Sequence, residues 1–293
     1  MGRWITMEVR MSASARDVKN YDTKRLREEF LIDDLFKKDE IKMVYSHIDR
    51  IITGSAVPVA KTLELTAGEE LRAAYFLERR EMGVINIGGT GVITIDGKEY
   101  VVGHKEAMYI GKGSKDIAFT SKNENEPAKF YFNSTPAHMT YPTVLIKPEG
   151  EAEEGVVIVK DENKVELGSL EESNHRVICK YILPGQVESC QLVMGMTGLK
   201  PGSVWNSMPC HTHDRRMEVY MYFELPEDAY VMHYMGEPTE TRHIVMRNEQ
   251  AVISPSWSIH AGSGTRNYTF IWGMAGENQE FGDMDHVRNQ DIM

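Results

Sequence analysis

His211, His213, Glu218 and His260 constrain the fold of this 293-residue chain more than any other feature, because their spacing suits strands and not a helix. Two histidines separated by one residue share a face of an extended segment, whereas on a helix they project to nearly opposite sides. The first three stand in Pro209-Cys210-His211-Thr212-His213-Asp214-Arg215-Arg216-Met217-Glu218, the fourth in Pro255-Ser256-Trp257-Ser258-Ile259-His260. Glu218 is an odd number of residues beyond His213, so one regular strand would turn it to the opposite face. A bend over Asp214 to Arg216, and a move onto the next strand, brings it back. The flanking Val219-Tyr220-Met221-Tyr222-Phe223 is β-branched and aromatic, as a buried strand should be. Three imidazoles and a carboxylate suit a borderline divalent ion such as Zn, Mn, Fe or Ni and leave room for water or substrate. His47, His104, His138, His175 and His286 lack such company and read as packed or exposed residues.

The string His211-x-His213-x4-Glu218 with a later His260 resembles the two metal motifs of cupins, small antiparallel barrels of the jelly-roll type. Longer strings are more specific. Asn206 to His213, Arg215-Arg216-Met217-Glu218-Val219-Tyr220, Glu240-Thr241-Arg242-His243-Ile244-Val245-Met246 and Ile253 to His260 are similar to the 5-keto-4-deoxyuronate isomerase family of bacterial pectin breakdown. So are Met43 to Arg50 and Tyr75-Phe76-Leu77-Glu78-Arg79-Arg80-Glu81, so the resemblance spans nearly the whole chain. It implies an all-β protein with two cupin-type barrels and a short N-terminal helix. It also implies one Zn2+ per chain on His211, His213, Glu218 and His260, and a homo-hexamer. The implied activity is a ketol-isomerase interconverting 5-dehydro-4-deoxy-D-glucuronate and 3-deoxy-D-glycero-2,5-hexodiulosonate. The alternatives are an iron-dependent cupin dioxygenase, which would consume oxygen, and a non-enzymatic sugar-binding bicupin. A regulator of that last kind should carry a helix-turn-helix segment, and none is apparent.

Composition narrows the partners. A net charge of −11 argues against nucleic acid, whose binding needs a basic stripe. It leaves small anions open, since one or two arginines can hold a carboxylate in an acidic protein. No apolar run reaches membrane-spanning length, and the amino terminus lacks the basic start and apolar middle of a signal peptide, so a cytoplasmic location is expected. Cys179, Cys190 and Cys210 form no CxxC pair and no even framework. Cys210 should face away from His211 as a packed, reduced thiol. Met1 to Thr6 precede a second candidate start at Met7 and read as a dispensable extension.

Four segments are expected: an N-terminal extension and helix over 1–40, a barrel without metal ligands over 41–140, a linker with connecting strands over 141–176, and the metal-binding barrel over 177–293. Asp22 or Thr23 caps a helix through Arg25 to Leu31. Val84 to Ile87, Val92 to Ile95 and Tyr100 to Val102 read as strands, with Asp96-Gly97 a hairpin signal. Pro136 to Glu154 is Pro- and Glu-rich and reads as the connection between barrels. A weak internal repeat sets Arg79-Arg80 against Arg215-Arg216, placing Tyr75, Leu77 and Met82 where His211, His213 and Glu218 stand. Setting Glu106-Ala107-Met108 against Gln250-Ala251-Val252 puts Asp116 opposite His260. Glu81 is one residue out of register and finds no histidine to join it. The amino barrel should therefore be structural or a partner surface.

Moving a proton between adjacent carbons builds negative charge on two oxygens, which a divalent ion stabilises as a Lewis acid. The chain must supply the base. His243, Tyr220, Glu240, Tyr222 and Glu277 are the candidates by chemistry and proximity in sequence, with His243 and Tyr220 foremost. Arg215 and Arg216 are favoured for the substrate carboxylate, although neighbours on a strand face opposite ways and at most one reaches the site; Arg242 and Lys180 are the other cations.

Overall fold

The computed structural model describes residues 7–293; the extension read at residues 1–6 lies outside them. The chain forms two compact, mostly β units. The first takes the described residues up to Arg10, then Asp34–Lys160 and Tyr181–Leu192; the second takes Met11–Asp33, Asp161–Lys180 and Val193–Met293.

The two units divide the chain differently from the four expected segments at both connections. The expected helix is present at Thr23–Phe30, with the Asp22 side chain accepting from the Arg25 N–H and Leu26 and Phe30 buried. It is not a free-standing preface. The next two residues, Leu31–Ile32, pair antiparallel with Gln250–Ser254 and complete a sheet of the second unit. The stretch 141–176, expected as a linker with connecting strands, supplies strands to both units. Val144–Lys147 pairs with Ala107–Ile110, and Val156–Ile158 extends the same sheet of the first unit. Lys164–Leu167 then pairs with Arg176–Ile182 at the edge of a second-unit sheet. The prolines and glutamates between Tyr141 and Gly155 stand in the turns, bends and irregular stretches that flank these strands, and local composition does not reveal pairing with residues far away in sequence.

In the first unit an eight-stranded sheet faces a four-stranded one. Alternate residues of the larger sheet, Met82 and Val84 on one strand and Phe130 and Phe132 on the next, meet Ile93 and Phe119 of the smaller one in a continuous apolar core. The Asp96-Gly97 hairpin joins Gly91–Ile95 to Lys98–Val102 with both central residues at positive φ, 49° and 84°, the geometry of a two-residue primed turn.

The second unit repeats the plan. Its larger sheet runs Val193–Leu199, Thr269–Gly276, Arg216–Phe223, Gln250–Ser254, in the order that Ile52–Ala56, Phe130–Pro136, Arg80–Asn86 and Ala107–Ile110 follow in the first. The registers correspond. Met82 stands opposite Ile110 and Ser134, and Glu218 stands opposite Ser254 and Met274. The smaller sheet orders Trp205–Asn206, Ala261–Gly264, Val231–Glu237 and Glu240–Met246. Gly262 is required there, because a Cβ would stand 2.9 Å from the Tyr222 hydroxyl and 3.1 Å from that of Tyr268. Among the described residues no helix is long and apolar enough to cross a membrane.

Candidate metal centre

His211 opens a two-residue strand, His211–Thr212, that pairs with Asp285–His286. The chain then turns, with the Arg216 N–H donating to the His213 carbonyl, and enters the fully buried strand Arg216–Phe223. This is the bend that the His213 to Glu218 spacing demands. His260 arrives after the Pro255 turn, immediately before the strand Ala261–Gly264.

The four side chains converge. They are buried, between 1% and 6% exposed, and one ligand atom from each lies within 4.8 Å of the others. Glu218 Oε2 is 3.1 Å from His213 Nε2 and 2.8 Å from His260 Nε2, and His260 Nε2 is 2.9 Å from His211 Nε2. The outward nitrogens are held by backbone. His213 Nδ1 faces the Arg216 carbonyl at 2.8 Å and His260 Nδ1 faces that of Ser258 at 3.4 Å. A proton on Nδ1 leaves the Nε2 lone pair bare and aimed inward, the arrangement by which second partners orient metal-ligating histidines. Burial, and then the neighbouring His260, push His211 down to about 2, so its imidazole is neutral. For Glu218 burial acts in the opposite sense, but His260 and His213 outweigh it and hold the carboxyl well below its usual range. Three imidazoles and one carboxylate whose ligand atoms come this close could hold a divalent ion.

A pocket of about 270 Å³ opens onto this cluster. His211 and Glu218 form part of its wall together with Tyr220, Phe270, Trp272 and Met274 of the larger sheet. The Tyr220 hydroxyl is 3.0 Å from Ser207 Oγ, which accepts from Asn206 Nδ2, while Asn206 Oδ1 accepts from the Tyr268 hydroxyl at 2.6 Å. Burial, reinforced by Glu218, raises Tyr220 well above the ordinary phenol value, so the phenol is protonated at neutral pH. Behind it the Tyr222 hydroxyl meets His233 Nδ1 at 2.8 Å, and burial pushes His233 down to about 3.

The other site residues read from the sequence are placed differently. His243 is exposed on Glu240–Met246, an edge strand of the smaller sheet, and is absent from the pocket wall; so are Glu240, Tyr222 and Glu277. Arg215 forks onto Asp283 and also reaches Asp285. Arg216 is buried and donates to the carbonyls of Asn278, Glu280, Phe281 and Asp283. Neither arginine lines the pocket, because the turn that redirects Glu218 inward aims both at the 278–285 segment. Arg176 and His286 line it instead. His286 was legible as the strand partner of a ligand only once the pairing of residues 75 apart was known, and Arg176 carried no motif at all. Cys210 packs against Ile259 and Ala261, and its burial raises the thiol's pKa; none of the three cysteines is in a disulfide.

A profile described as the KduI/IolB family matches residues 30–289. The chain belongs to the KduI/IolB family. One KduI/IolB relative, a 4-deoxy-L-threo-5-hexosulose-uronate ketol-isomerase of Lachnoclostridium phytofermentans, is 71% identical over 286 residues, covering 98% of this chain and all of its own. Among solved structures, an IolB-like protein from Salmonella typhimurium superposes with a TM-score of 0.63 at 13% identity, covering 81% of this chain and 87% of its own. An oxalate decarboxylase variant from Bacillus subtilis gives 0.54 at 11% identity, covering 85% and 78%. These distant likenesses establish the fold as all-β and cupin-type. Membership of KduI/IolB makes the chain an enzyme, a ketol-isomerase, with a buried cluster able to hold a metal.

Proposed function

We propose that the chain is a zinc-dependent ketol-isomerase interconverting 5-dehydro-4-deoxy-D-glucuronate and 3-deoxy-D-glycero-2,5-hexodiulosonate in uronate degradation. The observation that carries this reading is the convergence of three imidazole nitrogens and a carboxylate beside an open pocket, in a chain 71% identical to a relative named for such a reaction. His211, His213, Glu218 and His260 hold one ion per chain. When bound, zinc supplies Lewis acidity that stabilises negative charge on neighbouring carbonyl and hydroxyl oxygens.

The remaining work belongs to side chains on the pocket wall. Tyr220, kept protonated, donates a hydrogen bond to a substrate oxygen, and the hydrogen bonds through Ser207, Asn206 and Tyr268 fix its direction. His286 is the imidazole that reaches the pocket without belonging to the cluster, and it takes the role of moving the carbon-bound proton that the sequence assigned to His243. Phe270, Trp272 and Met274 exclude water from the far wall.

Incubating the zinc-loaded protein with the unsaturated-uronate breakdown product in heavy water tests the reading. Isomerised product forms without oxygen uptake and carries deuterium at the carbon that receives the proton. Oxygen consumption would turn the assignment to a dioxygenase. Complete intramolecular retention of the original hydrogen would replace proton transfer by a hydride shift and leave the isomerase standing. The family resemblance also implies a homo-hexamer, for which light scattering should give several times the mass of one chain.

A further inference from the structure

The pocket beside the cluster is lined by an arginine that has no ion-pair partner among the described residues. Arg176 begins the strand Arg176–Ile182, and the strand's period of two turns Arg176, Ile178 and Lys180 to one face. Arg176 and Ile178 form the pocket wall, and the Lys180 ammonium lies 4.2 Å over the ring of Phe281, another wall residue. Among the described residues lining the pocket, Arg176 is the sole arginine or lysine. Nη1 donates to the Asn174 carbonyl at 2.9 Å, and among the described residues Arg176 enters no ion pair. A guanidinium has five N–H donors, so most of this fork remains free. Glu218 shares the pocket but is committed to His213 and His260.

Half-burial of an unneutralised guanidinium is unfavourable, and it lowers the pKa of Arg176. The contrast with the two arginines beside the ligands is direct. Arg215 is neutralised by Asp283 and Asp285, and the two Nη groups of Arg216 donate to four carbonyls. A planar donor fork on a pocket wall matches a carboxylate bidentately.

We propose that Arg176 binds the carboxylate of the substrate and thereby makes the enzyme specific for acidic over neutral sugars. This rests on the ketol-isomerase reading above, which places a hexosulose-uronate in this pocket. With the carboxylate on Arg176, the other end of the molecule is left to face the cluster, where the reacting groups and not Arg176 set its register. The effect of Arg176 should therefore fall mainly on binding.

The test compares wild type, Arg176→Gln and Arg176→Lys on the uronate and on its neutral carboxamide, with metal content measured in each protein. For Arg176→Gln, KM for the uronate should rise about 10- to 100-fold with kcat changed by no more than about threefold, the size expected of a lost charge-assisted pair. The carboxamide should suffer a similar penalty in wild type and no additional one in the variant. Arg176→Lys, which keeps the charge but loses the fork, should fall between the two and serves if the Gln variant does not fold. Metal content should stay at the wild-type value throughout. Unchanged KM for the uronate in an active Arg176→Gln enzyme, or equal losses on both substrates, would overturn the assignment while sparing the isomerase reading. A metal-loaded wild type that isomerises neither substrate would bring down that reading and this one together.

Discussion

Both barrels begin the same central strand with a buried arginine, and two residues later they part. Arg80 donates to the carbonyls of Arg50 and Ser134 and to the Ser134 hydroxyl; Arg216 donates to four carbonyls of the 278–283 segment. In each case burial lowers the guanidinium's pKa, to about 10 for Arg80, without discharging it at neutral pH. This arginine is a structural fastening common to both copies. At the next inward position the first barrel has Met82, enclosed with Leu77, Ile110 and Phe132, and the second has Glu218, enclosed with His211, His213 and His260. One interior is closed by apolar packing, the other is polar and opens to a pocket. The acid of the first barrel, Glu81, falls on the outward face of its strand. There it accepts from Tyr109, Thr135 and the N–H groups of Cys190, Gln191 and Leu192, and it anchors the 181–192 segment instead of a metal. A single step of register along a strand thus separates a structural carboxylate from a ligand.

The largest expected effect tests whether the metal belongs to one barrel. His211→Ala or His260→Ala should reduce bound metal from about one per chain to near zero and lower activity by about 100-fold or more. Elemental analysis giving two ions per chain, or full occupancy in both variants, would break the contrast between the barrels. Next comes the apolar interior: Phe132→Ala should destabilise the first unit by about 3–5 kcal/mol in denaturant melts. The folded fraction should keep its metal, so a parallel loss of metal would show the two interiors to be coupled. Glu81→Gln should cost about 2–3 kcal/mol, since an amide opposes several of the donors now aimed at a carboxylate. Its metal content should not change; if it fell, Glu81 would have to be more than an anchor. Tyr222→Phe is the mildest, about 1 kcal/mol for leaving His233 Nδ1 without its partner. A melting temperature equal to that of wild type would show that the polar network behind the second site adds nothing to stability.

The cluster and the repeat were legible because they are local or periodic. His211-x-His213 needs an extended chain, the odd interval to Glu218 needs a bend, and Arg79-Arg80 against Arg215-Arg216 aligns the copies in a register that the strand pairing reproduces. The Asp96-Gly97 turn and the Asp22 cap were equally plain, since each depends on a few adjacent residues.

What the sequence by itself determined was therefore strand content, the two-copy plan, and the His211-His213-Glu218-His260 cluster, which has no counterpart among the described residues of the first copy. Tertiary structure alone decided which other residues surround that set. Arg176 and His286 reach the pocket through strands remote in sequence from the ligands, while His243, Arg215 and Arg216, near in sequence, are turned elsewhere. The same is true of Leu31–Ile32 and Val144–Lys147, whose first pairs, Leu31↔Val252 and Val144↔Tyr109, join residues 221 and 35 apart. Side-chain direction along a strand follows from a period of two, but the neighbour across the sheet and the wall of a cavity are set by packing of the whole chain, which no short stretch encodes.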